Sequence, residues 1–182
     1  MSQSVTDQPG LNAGFDGLQP PVFGGFEALF DVSGIDFLEP RVGPGGVAEW
    51  IPHRDVMALL DAVVWHDDEF DCGVGLHRAR ADAFWAAGHF PGMPMMPGVL
   101  QIEAAAQLCC FLFLHRRGAP GTAAFTRIEN TRFRQSVVPG DDLFIFAKAV
   151  KRASKMFVCD CHGVVGDKLA FESRISGMLI PS

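Results

Sequence analysis

The feature that most constrains this chain is the run from Val99 to Leu114, where Val99, Leu100, Ile102, Ala104, Ala105, Ala106 and the unbroken stretch 108–114 leave almost no polar face. A helix that is apolar nearly all the way round cannot lie on a surface, so the rest of the fold has to wrap it. Pro97-Gly98 opens the helix, and Gly118 with Pro120 beyond it stops the helix at about Arg117. His115, Arg116 and Arg117 fill the last turn, where cations suit the helix dipole. Gln101, Glu103 and Gln107 interrupt a span already shorter than the roughly 20 apolar residues that a bilayer needs. Protein rather than lipid is therefore expected around it, with no membrane span.

Glu103 stands out in this setting. An ionised carboxylate inside a core costs several kcal/mol, on the order of a lost charge-solvation shell, unless it is paired. The residue is therefore expected either to be neutral with a raised pKa or to have a dedicated partner. Gln107 lies one turn on, on the same helix face, and its amide can orient the carboxyl through a hydrogen bond. The alternative for such a pair is a purely structural one, a polar contact that fixes helix packing. Just upstream, Pro91, Pro94 and Pro97 restrict their own φ and push Phe90, Met93 and Met96 toward extended backbone. The loop carrying His89 is thus rigid enough to aim an imidazole.

Downstream of the helix the hydrophobic period changes to two. Residues 123–133, 142–152, 155–165 and 168–180 read as strands rich in Phe, Val and Ile, with Gly166-Asp167 fitting a two-residue II′ hairpin turn and a meander the natural topology. Upstream, 47–51 and 62–76 are further strand candidates and 57–60 a short helix. One apolar helix and a set of antiparallel strands give an α+β fold by pattern alone. At 182 residues the chain is one domain by size. Residues 1–45 read as a Gly/Pro-rich, partly ordered N-terminal extension, loose over 1–21 and apolar enough over 23–37 to dock on a body formed by 46–182.

The N-terminus lacks a charged segment followed by an apolar one, so no secretory signal is read there. Five cysteines, an odd number without a framework, suit free thiols in a reducing compartment and a cytoplasmic location. Cys159 and Cys161 have strand spacing and are read as packing, like Cys109 and Cys110. The net charge is −6 but uneven. Residues 1–72 hold thirteen acids against Arg41 and Arg54, whereas 113–155 hold nine bases against Glu129, Asp141 and Asp142. The second segment could form a docking field for an acidic partner or a merely solvated surface. An acidic chain without a recognisable nucleic-acid motif disfavours nucleic acid.

Several of these residues together resemble a known family. The segments Gly88-His89-Phe90-Pro91-Gly92, Met96-Pro97-Gly98-Val99-Leu100, Glu103-Ala104 and Gln107 look like the active-site stretch of FabZ-type 3-hydroxyacyl-[acyl-carrier-protein] dehydratases. Pro52-His53-Arg54 upstream and residues 132–141 downstream agree in order and spacing. The resemblance runs from about Glu49 to Ile180. It implies a hot-dog fold, in which a curved antiparallel sheet wraps a long central helix. It also implies a homodimer whose active sites each take a His from one subunit and an acid from the other, with a trimer of dimers as a larger assembly. By position, His89 and Glu103 are its catalytic pair. Sister FabA-type enzymes carry Asp at the acid position, so Glu103 favours dehydration without isomerisation. Two departures stand out: Asp55-Val56 follows Pro-His-Arg where the family usually has Tyr-Pro, and the chain contains no Tyr, so the gating Tyr of some members is absent, with Ala124 near that place.

Dehydration of a 3-hydroxyacyl thioester needs a base for the C2 proton, a stabiliser for charge on the thioester oxygen and an acid for the departing hydroxyl. His89 is the candidate base, because imidazole works near neutral pH. Glu103, if its apolar helix keeps it protonated, is the acid. The N–H groups of Gly98 and Val99 at the helix N-terminus are the oxyanion donors, with Phe90 beside the substrate. Gln107 and His53 are supporting groups behind the pair. No metal or redox cofactor is called for, the substrate riding on the phosphopantetheine of acyl carrier protein. His66, His77, His115 and His162 show no metal spacing and read as structural or surface residues. The rival readings are thioester hydrolysis, which hot-dog proteins also perform with a helix carboxylate, and a non-catalytic module that binds acyl carriers.

Overall fold

The computed structural model describes residues 15–180; the first fourteen residues of the stretch read as a loose arm, and the last two of the chain, lie outside the described residues. Helix α2, Gly98–Arg117, runs through the centre, preceded by the short helix α1, Pro44–Trp50. Gly118 closes α2 at φ 73°, a left-handed conformation that needs no Cβ, and its N–H caps carbonyls of the last turn. A six-stranded antiparallel sheet wraps α2: β1 (Ala62–His66), β2 (Cys72–Arg78), β3 (Ala123–Phe133), β4 (Asp142–Arg152), β5 (Met156–Val165) and β6 (Lys168–Leu179), in the order β1-β2-β4-β5-β6-β3. This is the α+β, helix-in-sheet arrangement that the sequence implies.

Four expectations are corrected. The simple meander holds only for β4-β5-β6, whose last hairpin turns at Gly166 with φ 56°. β3 leaves the end of α2 and lies at the far edge beside β6, so it is not a neighbour of β4. Period-two patterning identifies strands but not their partners, which loop length and the curvature around α2 decide. Residues 47–51 do not form a strand. Pro44 takes the first turn of α1, and Val47 is buried in the same core cluster as α2; a segment this short satisfies both periods, and the Pro decides. The candidate at 62–76 is two strands, because the Asp67 carboxylate accepts the N–H groups of Asp71 and Cys72 and so builds a turn between them. The helical turn expected at 57–60 sits slightly earlier, as a 3₁₀ turn at Asp55–Met57.

The sheet is apolar on both faces. Its inner face packs on α2 through Val63, Leu143, Ile145, Cys161, Phe171 and Ile175, all fully buried. Cys109 of α2 meets Cys161 there with sulfurs 3.4 Å apart, and all five cysteines are free thiols. The outer face carries Ala62, Val64, Val74, Leu76, Phe144, Phe146 and Val164, and residues 15–37 lie across it. Phe23 meets Phe146 edge-on at 5.5 Å, Phe37 meets Phe144 at 5.7 Å, and Phe30 stacks on Trp65. Polar contacts fix the register of this cover: Val22 N–H donates to the Gly166 carbonyl, Gln19 N–H to Asp142 and Lys148 Nζ to the Leu29 carbonyl.

His115 departs from its reading as a dipole-friendly cation. Its ring stacks 3.5 Å from Trp50 and 4.9 Å from Phe70. Loss of water between these rings pushes its pKa down to about 4, against the hydrogen bond to the Phe111 carbonyl that favours the charged form. Desolvation therefore outweighs the attraction of the helix C-terminus, and the ring is neutral at pH 7.

Candidate active site

His89 sits in the proline-rich loop, where its own N–H donates to the Trp85 carbonyl and its imidazole Nδ1 lies 2.9 Å from the Met95 carbonyl oxygen. A carbonyl can only accept, so Nδ1 carries a hydrogen, and in the neutral ring it is Nε2 that holds the lone pair a general base requires. The same loop is tied down by Met95 N–H to the His89 carbonyl and by Met96 N–H to Val137. Phe90 stacks on the imidazole with ring centroids 4.1 Å apart and is half exposed. It packs on the base and is absent from the cavity wall that the base lines.

That cavity, about 530 Å³ and open, is lined by His89, Met95 to Val99, Gln101 and residues 133–136. The N-terminus of α2 opens into it. No side chain caps the helix, and the first intrahelical bonds run from Leu100 and Gln101 to the Pro97 carbonyl, so the N–H groups of Gly98 and Val99 lie ahead of them. Gly98 has a packing reason as well: a Cβ there would fall 2.7 Å from the Phe133 ring. The base and the oxyanion donors predicted from sequence are thus together in one cavity.

Glu103 lies in a second, smaller cavity of about 30 Å³, shared with His53, Ala106, Cys110, Ala123, Phe125 and Phe157. None of these residues lines the His89 cavity. The dedicated partners expected for the carboxylate are present: Gln107 Nε2 donates to Oε1 at 2.9 Å, and His53 Nε2 stands 3.4 Å from the same oxygen. Gln107 is fixed on every side. Its Oε1 accepts the N–H groups of Leu59 and Leu60, and its Nε2 also donates to the Met57 carbonyl. This arrangement admits only one orientation of the amide, so Gln107 joins the carboxyl rigidly to the 57–60 segment. Burial lowers the His53 pKa despite the attraction of Glu103, keeping the ring neutral at pH 7.

Within one chain, therefore, the predicted residues form two sets: His89, Gly98 and Val99 in one, Glu103, Gln107 and His53 in the other. The edge strand β3 borders both, with Phe133 at the first cavity and Ala123 and Phe125 at the second. Among the described residues the side of β3 away from β6 has no neighbouring strand in the sheet, and Phe125, Ile128 and Phe133 are exposed along it. Val99 (74% exposed), Met93 and Phe90 add apolar surface beside the His89 cavity. Gln101 also lines this cavity from inside the helix, although it is not among the site residues that the sequence singles out. A polar residue in the first turn of an otherwise apolar helix was its only signal.

The chain belongs to the FabA-like family, whose domain matches residues 51–174. Among its relatives, the 3-hydroxyacyl-[acyl-carrier-protein] dehydratase FabZ of Brucella abortus (strain S19) is 34% identical over 131 residues, covering 71% of this chain and 83% of the relative. The FabZ of Rhizobium etli (strain CIAT 652) is 31% identical over 155 residues, covering 85% and 95%. Among solved structures, the dehydratase heterocomplex ApeI:P from Xenorhabdus doucetiae superposes with a TM-score of 0.64 at 16% identity, over 75% of this chain and 91% of that one. The last likeness concerns the fold alone.

Proposed function

We propose that this chain is a hydro-lyase that removes water from a 3-hydroxyacyl thioester carried by acyl carrier protein, giving the trans-2-enoyl thioester, and that it does so as a homodimer with shared active sites. The observation that carries the shared site is the placing of the two half-sites at opposite ends of β3. An exposed apolar edge strand invites a second strand. If two copies of β3 pair antiparallel about an axis near Ile128, the midpoint of the strand, the Phe133 end of one lies beside the Ala123 end of the other. His89 of one protomer then approaches Glu103 of the partner subunit, and the exposed Phe125, Ile128 and Phe133 become covered.

In that site the thioester oxygen sits at the Gly98 and Val99 N–H groups, where the helix dipole stabilises the negative charge that develops. His89 Nε2 takes the C2 proton. The electrons of the C2–H bond form the C2=C3 double bond as the C3–O bond breaks, and Glu103 of the partner subunit gives its proton to the departing hydroxyl, which leaves as water. Proton transfer from His89 back to the carboxylate resets the site. Elimination of water is redox-neutral and calls for no redox cofactor, the Glu103 proton and the Gly98 and Val99 N–H groups fill the roles a Lewis-acid metal could otherwise take, and the phosphopantetheine of the carrier delivers the substrate. Arg134, which lines the mouth of the His89 cavity, and the nearby Arg132 share a single carboxylate, Glu172, and leave a net positive charge for an acidic carrier. Arg116, by contrast, is taken up by Asp71. We place the enzyme in the cytoplasm, where the five free thiols stay reduced, and read 46–182 as the dehydratase domain with 1–45 as its extension.

Incubating the protein with one 3-hydroxyacyl thioester and analysing the products by mass spectrometry tests the activity. Loss of one water from an intact thioester is the expected result. Release of free thiol would identify a thioesterase, and unchanged substrate a non-catalytic module.

A further inference from the structure

Gln101 lies in the first turns of α2 and is only 3% exposed, yet its amide is poorly satisfied. Nε2 reaches the Met96 carbonyl at a long 3.4 Å, and the buried Oε1 has no hydrogen-bond partner among the described residues. A buried carbonyl acceptor without a donor is costly, and a native core rarely tolerates one without a use for it. The side chain lines the same cavity as His89, Gly98 and Val99. Gln101 is three residues beyond Gly98, so the two share a helix face.

We propose that Gln101 is a substrate-positioning residue whose Oε1 accepts the N–H of the first amide of the carrier arm, two carbons beyond the thioester sulfur. This assignment rests on the dehydratase reading above. The site needs a hydrogen-bond donor, and elimination identifies it. The 3-hydroxyl is engaged by Glu103 of the partner subunit, and the thioester oxygen is an acceptor held by Gly98 and Val99. The nearest remaining donor in a pantetheine thioester is the cysteamine amide N–H. With the thioester oxygen at the helix N-terminus, the short spacer places that N–H one helical turn along, beside Gln101. Held at both points, the thioester cannot rotate about its sulfur, and C2 stays in front of His89 Nε2. The dry setting makes the contact selective, because a thioester lacking the amide leaves the acceptor stranded.

The test compares two thioesters of 3-hydroxybutyrate, one with N-acetylcysteamine, which keeps the amide, and one with pentanethiol, which replaces the amide by methylenes. The full-length parent is expected to prefer the amide-bearing substrate in kcat/KM. In Gln101→Met, of similar volume, that preference should fall by roughly 5- to 150-fold, the range for leaving one buried acceptor stranded, with KM carrying most of the change. Gln101→Leu serves as a second variant if Met disturbs folding, and melting temperatures monitor both. A parent without preference, or variants that lower turnover of both thioesters equally, would overturn the assignment; the second result would mean that Gln101 only packs the helix or pairs with the second copy. A parent that dehydrates neither substrate would instead remove the dehydratase reading, and this proposal with it.

Discussion

Subunit complementation is the most direct test of the two half-sites. In one chain His89 and Glu103 line cavities with no residue in common, although α2 and β3 each border both. If each complete site takes one group from each protomer, His89→Ala and Glu103→Gln homodimers are both inactive, since each lacks one group at both sites. A heterodimer of the two variants is different. One of its sites loses both groups, and the other combines the intact His89 of one chain with the intact Glu103 of its partner. Random pairing of equal amounts makes about half of the dimers heterodimers, each with one working site of two, so activity should recover to about a quarter of the parent. The assay mixes differently tagged variants under mild dissociating conditions, follows exchange by native mass spectrometry and measures dehydration over time. Recovery should track heterodimer formation. Proven exchange with no gain in activity would place both groups in one chain and refute the β3-mediated arrangement.

The remaining expectations concern chemistry and stability. The single variants His89→Ala and Glu103→Gln should each slow turnover by about 10²–10⁴-fold, and the double variant should resemble the worse single one, because the groups act in one step; steady-state kinetics on one thioester checks both. Gln107→Leu strands the N–H groups of Leu59 and Leu60 and the Met57 carbonyl as well as freeing Glu103. It should cost about 2–5 kcal/mol in denaturant unfolding, with relaxation moderating the 1–3 kcal/mol expected per stranded group, and should also lower kcat. His115 titrates at about 4 in the folded chain and near 6.5 when unfolded. The unfolded chain therefore binds its proton first, and the stability contribution present above pH 6.5 is lost as pH falls toward 4; His115→Phe should flatten that decline in pH-dependent melting. Deleting residues 1–38 uncovers Phe144, Phe146, Val74 and Val64. Stability or solubility should fall, by about 1.5–3 kcal/mol for each large side chain whose burial is fully lost, and an unchanged melting temperature would count against the cover having any structural role.

Local chemistry made much of this molecule legible. The bounds of α2 follow from Pro97, Gly98 and Gly118, and the later strands from their alternation, because caps, turns and periodicity act within a few residues. The Gln107–Glu103 hydrogen bond is equally local, set by one turn of helix. Long-range placement was not legible. The same short segment at 47–51 fits a strand or a helix until Pro44 and the contact with α2 select the helix. His115 reads as a cation until Trp50 and Phe70 close on it.

From the order of residues alone it follows that a largely apolar helix must be wrapped, that a carboxylate inside it needs a partner, and that a stiff loop holds one imidazole. Packing between distant segments is what sends β3 to the sheet edge, has Gln107 tie the carboxylate to the 57–60 segment, leaves Gln101 with an unpaired acceptor among the described residues, and puts His89 and Glu103 in separate cavities. Capping and periodicity are properties of neighbouring residues and are written in their order. Strand pairing, desolvation and the completion of a site depend on groups far apart in the chain, whose contacts exist only once the sheet has closed around the helix.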